Sequence, residues 1–315
     1  MLFSPRISIV VSCHKEFYCP PAGVYVPVHV GAARAREPLR NAAPDTQGDS
    51  ISDRNFTFCE LTGQYWAWKN LDADYIGQCH YRRYFCFDGL RHVANDHAQI
   101  ETGLLDAVGA RAFALDDDEQ IRSKIIGYDA VVPKSWDVRF TRTPQGVKRT
   151  VREHMIGYGL VAAESFERLE ELVARMAPEY VPYVTRYLDG HEYLGYNCFV
   201  MKRSLFERLC SFEFPVLLEF DRTFSYEGLS DTQKRVCGYL GEVLFSAFVL
   251  RLKDEDAWKI AHVPLVFFEY TDAETFSRAR VNEATSTLSF KDRIFPKGSW
   301  RRVFVGKVLN RLSCR

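Results

Sequence analysis

Short apolar runs rich in β-branched residues alternate along this chain with longer stretches that carry apolar residues at helical spacing. The short runs predict strands over residues 7–11, 24–30, 75–79, 128–132, 196–201 and 263–268. The longer stretches predict helices over residues 57–71, 165–176, 204–210, 214–220 and 232–252, with Ser165 as a helix cap. This alternation is typical of an α/β fold in which helices flank a mostly parallel sheet.

Two parts of the chain depart from this pattern. Residues 88–119 are polar and end in the acidic run 116–119, so we predict a variable surface insertion within a single domain over residues 1–275. Residues 276–315 form a basic C-terminal tail in which, from position 291 onward, eight Lys or Arg face one Asp. A basic amphipathic helix suits an anionic membrane surface, and a terminal helix packed on the domain explains the pattern equally well.

The composition narrows the classes of function. The 41 basic residues balance 41 acidic ones, and a net charge of zero argues against nucleic acid as a partner. Nine cysteines without a CxxC pair favour buried thiols in a reducing cytosol over disulfides or a zinc site. No apolar run reaches the roughly 18 residues of a membrane-spanning helix, and neither glycine-rich phosphate-loop motif occurs. We expect a cytoplasmic protein, peripheral at the inner membrane face if the tail binds lipid.

The segment HYRRYF, residues 80–85, places cations and aromatic rings directly after a predicted strand. The guanidinium groups of Arg82 and Arg83 suit bidentate contacts with phosphate oxygens, and His80 and Tyr81 stand beside them. A strand edge with solvated arginines is the alternative. At the end of the first predicted strand, His14 and Lys15 also fit a nucleotide or phosphate contact, because ligands bind at the carboxyl edge of such sheets. A surface turn without a binding role is the alternative interpretation of His14 and Lys15.

The pair Asp72 and Asp74 resembles the DxD signature with which many glycosyltransferases hold a divalent metal. In those enzymes the pair follows an apolar strand, whereas here it precedes the predicted strand 75–79. We therefore interpret both aspartates as turn and capping residues. The opposite end of that strand carries the cations, which predicts that they neutralise a diphosphate without a metal, so that no cofactor is firmly implied and a divalent metal is not favoured.

Two further polar residues stand in apolar surroundings. Glu242 lies on a predicted helix next to two glycines, where a carboxylate delivered into a cleft can act as general base, although a lone helical glutamate is more often solvated. The next candidates for the base are Asp189, Glu192 and Asp231. Tyr196 and Asn197 begin an apolar strand and suit sugar hydroxyls, whereas a structural amide is the other reading of Asn197.

Together these segments resemble a bacterial family of capsular and exopolysaccharide biosynthesis glycosyltransferases, long catalogued as a domain of unknown function. The resemblance spans about residues 7–269 and rests on several long motifs in order. These are CHK at 13–15, ISDRN at 51–55, CELTGQYWAWKNLDADYIGQCHYRRYF from 59, YDAVVPK from 128, YNCFVMK from 196, GYLGE from 238 and VPLVFFE from 263. The asparagine usual before Ile51 is Ser50 here.

The resemblance implies a GT-A-like α/β fold and transfer from a nucleotide sugar to a surface polysaccharide or lipid-linked glycan acceptor. Some relatives are linked to galactofuranose transfer, so UDP-galactofuranose is one candidate among UDP-sugar donors. We expect donor contacts from His14, Lys15 and residues 80–83, sugar contacts from Tyr196 and Asn197, and inverting transfer with Glu242 as the base. The alternative is a non-catalytic nucleotide- or glycan-binding subunit of a polysaccharide assembly complex.

Overall fold

The protein is described by a computed structural model that covers residues 4–285. The described strands are β1 Ile7–Cys13, β2 Tyr25–His29, β3 Ala43–Pro44, β4 Tyr75–His80, β5 Arg83–Phe85, β6 Gln99–Leu104, β7 Ala130–Pro133, β8 Trp136–Asp137, β9 Arg142–Thr143, β10 Gly146–Val147, β11 Glu192–Tyr193, β12 Phe199–Lys202, β13 Ile260–Val263 and β14 Leu265–Tyr270. The described helices are α1 Asn55–Phe58, α2 Leu61–Asn70, α3 Ala107–Ala112, α4 Asp118–Ile125, α5 Val151–Gly157, α6 Ala163–Met176, α7 Val181–Asp189, α8 Arg203–Thr223, α9 Val236–Glu255 and α10 Ala273–Thr285.

One ten-stranded mixed sheet organises the domain. Its main path runs β13-β7-β12-β4-β1-β2-β3, and β5 continues from the end of β4 to pair with β14, which also pairs with β6. The pairings β1–β2, β1–β4, β2–β3, β7–β13 and β6–β14 are parallel, whereas β12 and β5 run antiparallel to their neighbours. The predicted α/β class with a mostly parallel sheet flanked by helices is confirmed.

The central strand β1 shows why the apolar runs form this sheet. Its side chains alternate between two cores, so that Val10 belongs to the core that includes residues of α2 and of α5 to α9, while Ile9 and Val11 belong to the core on the opposite face. Strands buried on both faces read as continuous apolar runs. At Gly77 of the neighbouring β4, an added Cβ would lie 2.8 Å from the carbonyl oxygen of Phe199, so close strand packing requires glycine there.

The prediction that residues 88–119 form a surface insertion is wrong for their second half. Residues Gln99–Leu104 are strand β6, which pairs in parallel with β14 in the main sheet. Ile100, Leu105 and Leu115 are buried in the core on that face. The sequence did not predict this strand, because polar residues interrupt its apolar positions and no continuous apolar run marks it.

Other boundaries also differ. The two helices predicted over 204–210 and 214–220 are one helix, α8, with Pro215 inside it on an exposed position. Ser165 is buried within α6 and is not its cap, because that helix begins at Ala163 after Ala162. The strand predicted over 196–201 begins only at Phe199.

Most of the basic tail lies outside the described residues, which end at position 285. Within the described part, no helix combines the length and the apolar character that crossing a bilayer requires. Six of the eight described cysteines are buried, as predicted, and none of the eight forms a disulfide.

Candidate functional site

A cavity of about 600 Å³ opens beside the carboxyl ends of β1 and β4. His14 follows β1 and His80 ends β4, and both line this cavity. Because β1 and β4 are parallel neighbours, their carboxyl ends meet at the same edge of the sheet. Of the nine residues expected to bind or react, eight line the cavity: His14, His80, Tyr81, Arg82, Arg83, Tyr196, Asn197 and Glu242.

A tight hairpin explains how HYRRYF presents its cations. His80 of β4 pairs with Arg83 of β5, so that only Tyr81 and Arg82 form the turn. The sequence predicted a strand end here and did not predict the antiparallel return. The return strand is anchored by β14, since Arg83 pairs with Phe267.

The arginines of this cavity are held by rings and not by carboxylates. The guanidinium carbon of Arg83 lies 5.4 Å from the ring centre of Tyr196 and 5.0 Å from that of Phe267. The guanidinium carbon of Arg82 lies 5.1 Å from the Phe267 ring centre. Neither arginine forms an ion pair with a carboxylate of the described residues, and the Nε atoms of both are buried without a hydrogen-bond partner there. Their charge is therefore available to an anion.

A third arginine, Arg235, joins them from the start of α9. Its Nε donates a hydrogen bond to Cys59 Sγ at 3.2 Å, and its guanidinium carbon lies 5.9 Å from the ring centre of Tyr239. Sequence reasoning missed this residue. The available signal was its position directly before the glycine-containing helix that carries Glu242.

The surroundings of the two histidines at the strand ends favour the neutral form. Burial lowers the pKa of His80 well below its usual value, and the charges of Arg83 and Arg82 lower it further. Burial also lowers the pKa of His14, with Lys15 and Arg82 adding to the effect. Neutral imidazoles can both donate and accept hydrogen bonds.

Lys15 is the expected donor-binding residue that does not line the cavity. Its side chain is exposed, and its Nζ lies 5.6 Å from the ring centre of Tyr81, which lines the cavity in its place. The Lys15 side chain, on the turn after β1, extends over the buried Tyr81 ring and not into the cavity. The Lys15 contact with the donor therefore has no support from the position of this side chain.

The aspartate pair lies at the other end of β4. Asp74 Oδ2 accepts a hydrogen bond from the Arg6 backbone N–H at 2.7 Å, and Asp72 Oδ2 accepts one from the Arg6 side chain at 2.6 Å. These contacts confirm that Asp72 and Asp74 are turn and capping residues at the amino end of the strand.

Glu242 lines the same cavity as the arginines and lies on α9. Its Oε2 accepts a hydrogen bond from the Tyr193 hydroxyl at 2.5 Å. Burial raises the pKa of Glu242 to about 7, the Tyr193 hydrogen bond opposes the rise, and the Glu60 carboxylate adds to it. The adjacent Gly241 has no room for a side chain, because its Cβ would lie 2.6 Å from Leu61 Cδ1. The close approach that the glycines predicted is confirmed.

Asn197 has a structural role in this arrangement. Its Nδ2 donates to Glu60 Oε1 at 2.9 Å and to the Gly238 carbonyl at 3.1 Å, which ties the start of α2 to α9. Its Oδ1 is buried without a partner among the described residues. Asn197 precedes β12, in a turn where Gly195, Tyr196 and Asn197 have φ of 51°, 70° and 44°. Such a left-handed run is costly for residues other than glycine and is typical of functional sites.

A wall of rings closes the cavity on the side of Glu242. This aromatic wall consists of Trp136, His154, Tyr158 and Tyr193. Trp136 and Tyr193 stack with ring centres 4.8 Å apart, His154 lies 5.1 Å from Trp136, and Tyr158 lies 4.9 Å from His154. Burial lowers the pKa of His154 to about 4, so its ring is neutral. Sequence reasoning predicted the neighbouring Tyr196 but none of the four wall residues. These residues come from β8, β11 and α5, which meet only in the folded chain.

The arrangement joins three guanidinium groups to a carboxylate whose pKa is raised to about 7 by burial, with aromatic faces beside it. The alternative bases Asp189, Glu192 and Asp231 do not line the cavity. Among the described residues, the one group of three His, Cys, Asp or Glu side chains close enough to hold a metal ion lies outside the cavity lining. Anion binding and proton abstraction are the chemistry that this lining can perform.

The chain was compared with curated proteins, solved structures and protein-family models. A search of curated proteins found no match. Among solved structures, the apo structure of WbbM, a bifunctional glycosyltransferase, superposes with a TM-score of 0.76 at 26% sequence identity. The match covers 84% of this chain and 45% of the WbbM chain, so the matched region spans less than half the length of that chain. Residues 8–254 match the model of the family described as "Domain of unknown function (DUF4422)". The resemblance drawn from the motifs is thereby confirmed, and the chain belongs to the DUF4422 family.

Proposed function

We propose that this chain is a glycosyltransferase that moves a sugar from a nucleotide-sugar donor to a glycan or lipid-linked glycan acceptor. The observation that carries the proposal is a single cavity that Arg82, Arg83, Arg235 and Glu242 line together. The arginines have no carboxylate partners among the described residues, and the pKa of Glu242 is raised to about 7 by burial. The likeness to WbbM, itself a glycosyltransferase, supports the same class of reaction.

The arginines suit the diphosphate of the donor. Guanidinium groups form bidentate hydrogen bonds with phosphate oxygens and stabilise the negative charge that grows there as the glycosidic bond breaks. Here they are already oriented by the rings of Tyr196 and Phe267, so little reorganisation accompanies binding. The neutral His14 and His80 supply hydrogen bonds nearby without repelling the cations.

Glu242 suits the acceptor side of an inverting displacement. As a carboxylate it takes the proton of the acceptor hydroxyl while that oxygen bonds to the anomeric carbon. The bond between the anomeric carbon and the diphosphate oxygen breaks on the opposite face, and its electron pair leaves with the nucleotide diphosphate. A pKa near 7 lets Glu242 be ionised before the step and still hold the proton after it.

The finer assignments are part of the same proposal. We favour a UDP-sugar donor, with UDP-galactofuranose as one candidate, and a role in capsular or exopolysaccharide synthesis. Charge neutralisation by arginines makes a metal unnecessary for diphosphate departure in this scheme. Peripheral binding to an anionic membrane through residues 276–315 stays a prediction, because most of that segment lies outside the described residues.

A donor screen tests the proposal. Nucleotide sugars are scanned by thermal shift, and release of the nucleotide diphosphate is then measured with and without glycan acceptors. We expect a UDP-sugar to raise the melting temperature and to release UDP slowly even without acceptor. Binding without turnover for every donor would instead favour the non-catalytic binding subunit.

A matched pair of arginine variants locates the donor. Arg83→Ala should weaken UDP binding by about 10- to 100-fold, the equivalent of one lost charge-assisted contact, as measured by titration calorimetry. Arg222→Ala is the control, because that arginine pairs with Glu219 on the surface outside the cavity. Equal affinities for UDP in the wild type and Arg83→Ala would exclude this cavity end as the diphosphate site.

A further inference from the structure

Three metal-ligand side chains of different types converge in the segment that follows β5. Cys86 Sγ, a carboxylate oxygen of Asp88 and a ring nitrogen of His92 all lie within 4.8 Å of one another. None of the three lines the cavity. Cys86 is buried, and the side chains of Asp88 and His92 are 8% and 22% exposed, so the cluster is sheltered but open to solvent on the His92 side.

The donor set matches the preferences of zinc. Zinc in proteins takes thiolate, imidazole and carboxylate ligands in a tetrahedral arrangement. One thiolate and one carboxylate cancel the charge of Zn²⁺, which suits a largely buried position because no net charge is then removed from water. The exposed side of His92 leaves access for water as the fourth ligand.

The ligands are held in place by their surroundings. Asp88 Oδ1 accepts a hydrogen bond from the Leu90 backbone N–H at 2.8 Å, which leaves Oδ2 directed at His92. The His92 ring packs against Phe113 with ring centres 5.3 Å apart. Gln120 Nε2 donates to the Phe87 carbonyl at 3.0 Å and fixes the backbone between Cys86 and Asp88. Such outer contacts orient ligands in metal sites.

One distance must change when a metal binds. Asp88 Oδ2 and His92 Nε2 are 2.6 Å apart, a hydrogen bond. Two ligand atoms on one tetrahedral zinc stand about 3.3 Å apart, given metal–ligand bonds of about 2.0 Å. A small rotation of the partly exposed His92 side chain supplies this difference. Binding also releases the thiol proton of Cys86 to solvent.

The position of the cluster suggests what a metal would do. Residues 86–98 join β5 to β6 without a strand or helix of their own. This connection begins just after Arg83 and ends beside His97, and both of these residues line the cavity. Its far end is held by the Tyr196 hydroxyl, which donates to the His97 carbonyl at 2.9 Å. A metal would fix the near end and so restrict the whole connection.

We propose that Cys86, Asp88 and His92 bind one zinc ion, which fixes the connection between the cavity residues Arg83 and His97. The role is structural, because none of the three ligands lines the cavity in which the arginines would bind the diphosphate. A loss of activity in chelators would then report the loosened connection and would not identify a metal on the donor.

Metal binding to the full-length, tag-free protein tests this. The purified protein is stripped with a chelator and titrated with Co²⁺, whose thiolate complexes absorb in the near ultraviolet, and Zn²⁺ is then added in competition. We expect one equivalent of Co²⁺ to produce the thiolate band, Zn²⁺ to displace it, and Zn²⁺ to raise the melting temperature. Elemental analysis of the unstripped protein should find about one zinc per chain.

Matched variants decide the ligands. Cys86→Ser should abolish the band, and His92→Ala, a change at the most exposed ligand, should weaken zinc binding by at least the ~10-fold typical of a lost ligand contact while leaving the circular dichroism of the metal-free protein unchanged. Cys19→Ser is the control, because Cys19 is a partly buried free thiol outside the cluster. The absence of a stoichiometric cobalt complex in the wild type overturns the proposal. A band that survives Cys86→Ser or disappears in Cys19→Ser overturns it as well.

Discussion

Tyr193 donates its hydroxyl hydrogen to Glu242 Oε2 across 2.5 Å, and so links the aromatic wall to the carboxylate. Tyr193 is itself fixed by stacking on Trp136. The hydrogen bond stabilises the charged form of Glu242, while burial and the Glu60 carboxylate stabilise the protonated form. The balance holds the pKa near neutrality, which is the range a general base requires.

Replacing the carboxylate should therefore remove proton abstraction and little else. Glu242→Gln is expected to lower transfer turnover by at least the ~10² typical of a lost general base, with donor affinity almost unchanged. Steady-state kinetics and UDP titration measure the two quantities. Glu213→Gln is the matched control, because Glu213 is a buried glutamate on the neighbouring α8 that does not line the cavity. Undiminished turnover in Glu242→Gln would assign the base to another residue.

The pH profile of turnover should report the same group. Because Glu242 must be ionised, turnover should rise with pH through the pKa of about 7 and then level off. Tyr193→Phe removes a hydrogen bond that lowers this pKa, so the rising part of the pH profile should move to higher pH by on the order of one unit. A profile that stays in place or moves to lower pH contradicts the assignment. Turnover on the high-pH plateau should be retained, which separates the pKa effect from general damage to the site.

Several strands of this fold follow directly from apolar runs. The runs 7–11, 75–79 and 128–132 became strands of the central sheet, because strands buried on both faces need continuous apolar sequence. Because ligands bind at the carboxyl edge of such sheets, the sequence also predicted that His80, Arg82 and Arg83 lie at that edge, beside the cavity. By contrast β6 was missed, since its exposed and partly buried residues do not form an apolar run.

The cavity residues around Glu242 could not be predicted in the same way. Tyr193 and Glu242 are 49 residues apart, and Trp136 meets Tyr193 only through the short β8–β11 pair. Local pattern carries no information on such contacts. The predicted gap at residues 211–213 was also wrong: α8 continues through it and through Pro215, whose cost of about 3 kcal/mol inside a helix is offset by the burial of neighbours such as Phe214 and Leu217, at roughly 1.5–3 kcal/mol each.

Glu213 provides a stability prediction that is independent of activity. Burial raises its pKa to about 8, whereas the unfolded chain titrates near the ordinary value of 4.5. Between these pH values the folded state keeps a proton that the unfolded state has lost, so stability falls by about 1.4 kcal/mol per pH unit. The neutral Glu213→Gln retains an acceptor for the Gln64 amide, which now donates to Glu213 at 2.7 Å. Urea unfolding should show that the free energy of unfolding of Glu213→Gln, relative to that of the wild type, increases from pH 5 to 8. A constant difference between the two proteins over this range would contradict the raised pKa.

The aromatic wall should act on the acceptor and not on the donor. Sugar rings pack their C–H faces on aromatic rings, and Tyr158 is the partly exposed member of the wall, farthest along the stack from Trp136. Tyr158→Ala should raise the KM for the glycan acceptor by about 5- to 10-fold, the equivalent of roughly 1 kcal/mol of lost stacking.

The same variant should leave UDP affinity and acceptor-independent donor hydrolysis unchanged, because Tyr158 contacts His154 and the Arg142 carbonyl and none of the three cavity arginines. Tyr158→Phe keeps the aromatic face and should restore the acceptor KM. Tyr183→Ala is the control for loss of a partly exposed ring, since Tyr183 stands on α7 outside the cavity. If the donor KM changes as much as the acceptor KM, or if Tyr158→Phe fails as Tyr158→Ala does, the wall is not the acceptor surface. The acceptor would then have to reach Glu242 from the side of Tyr239 instead.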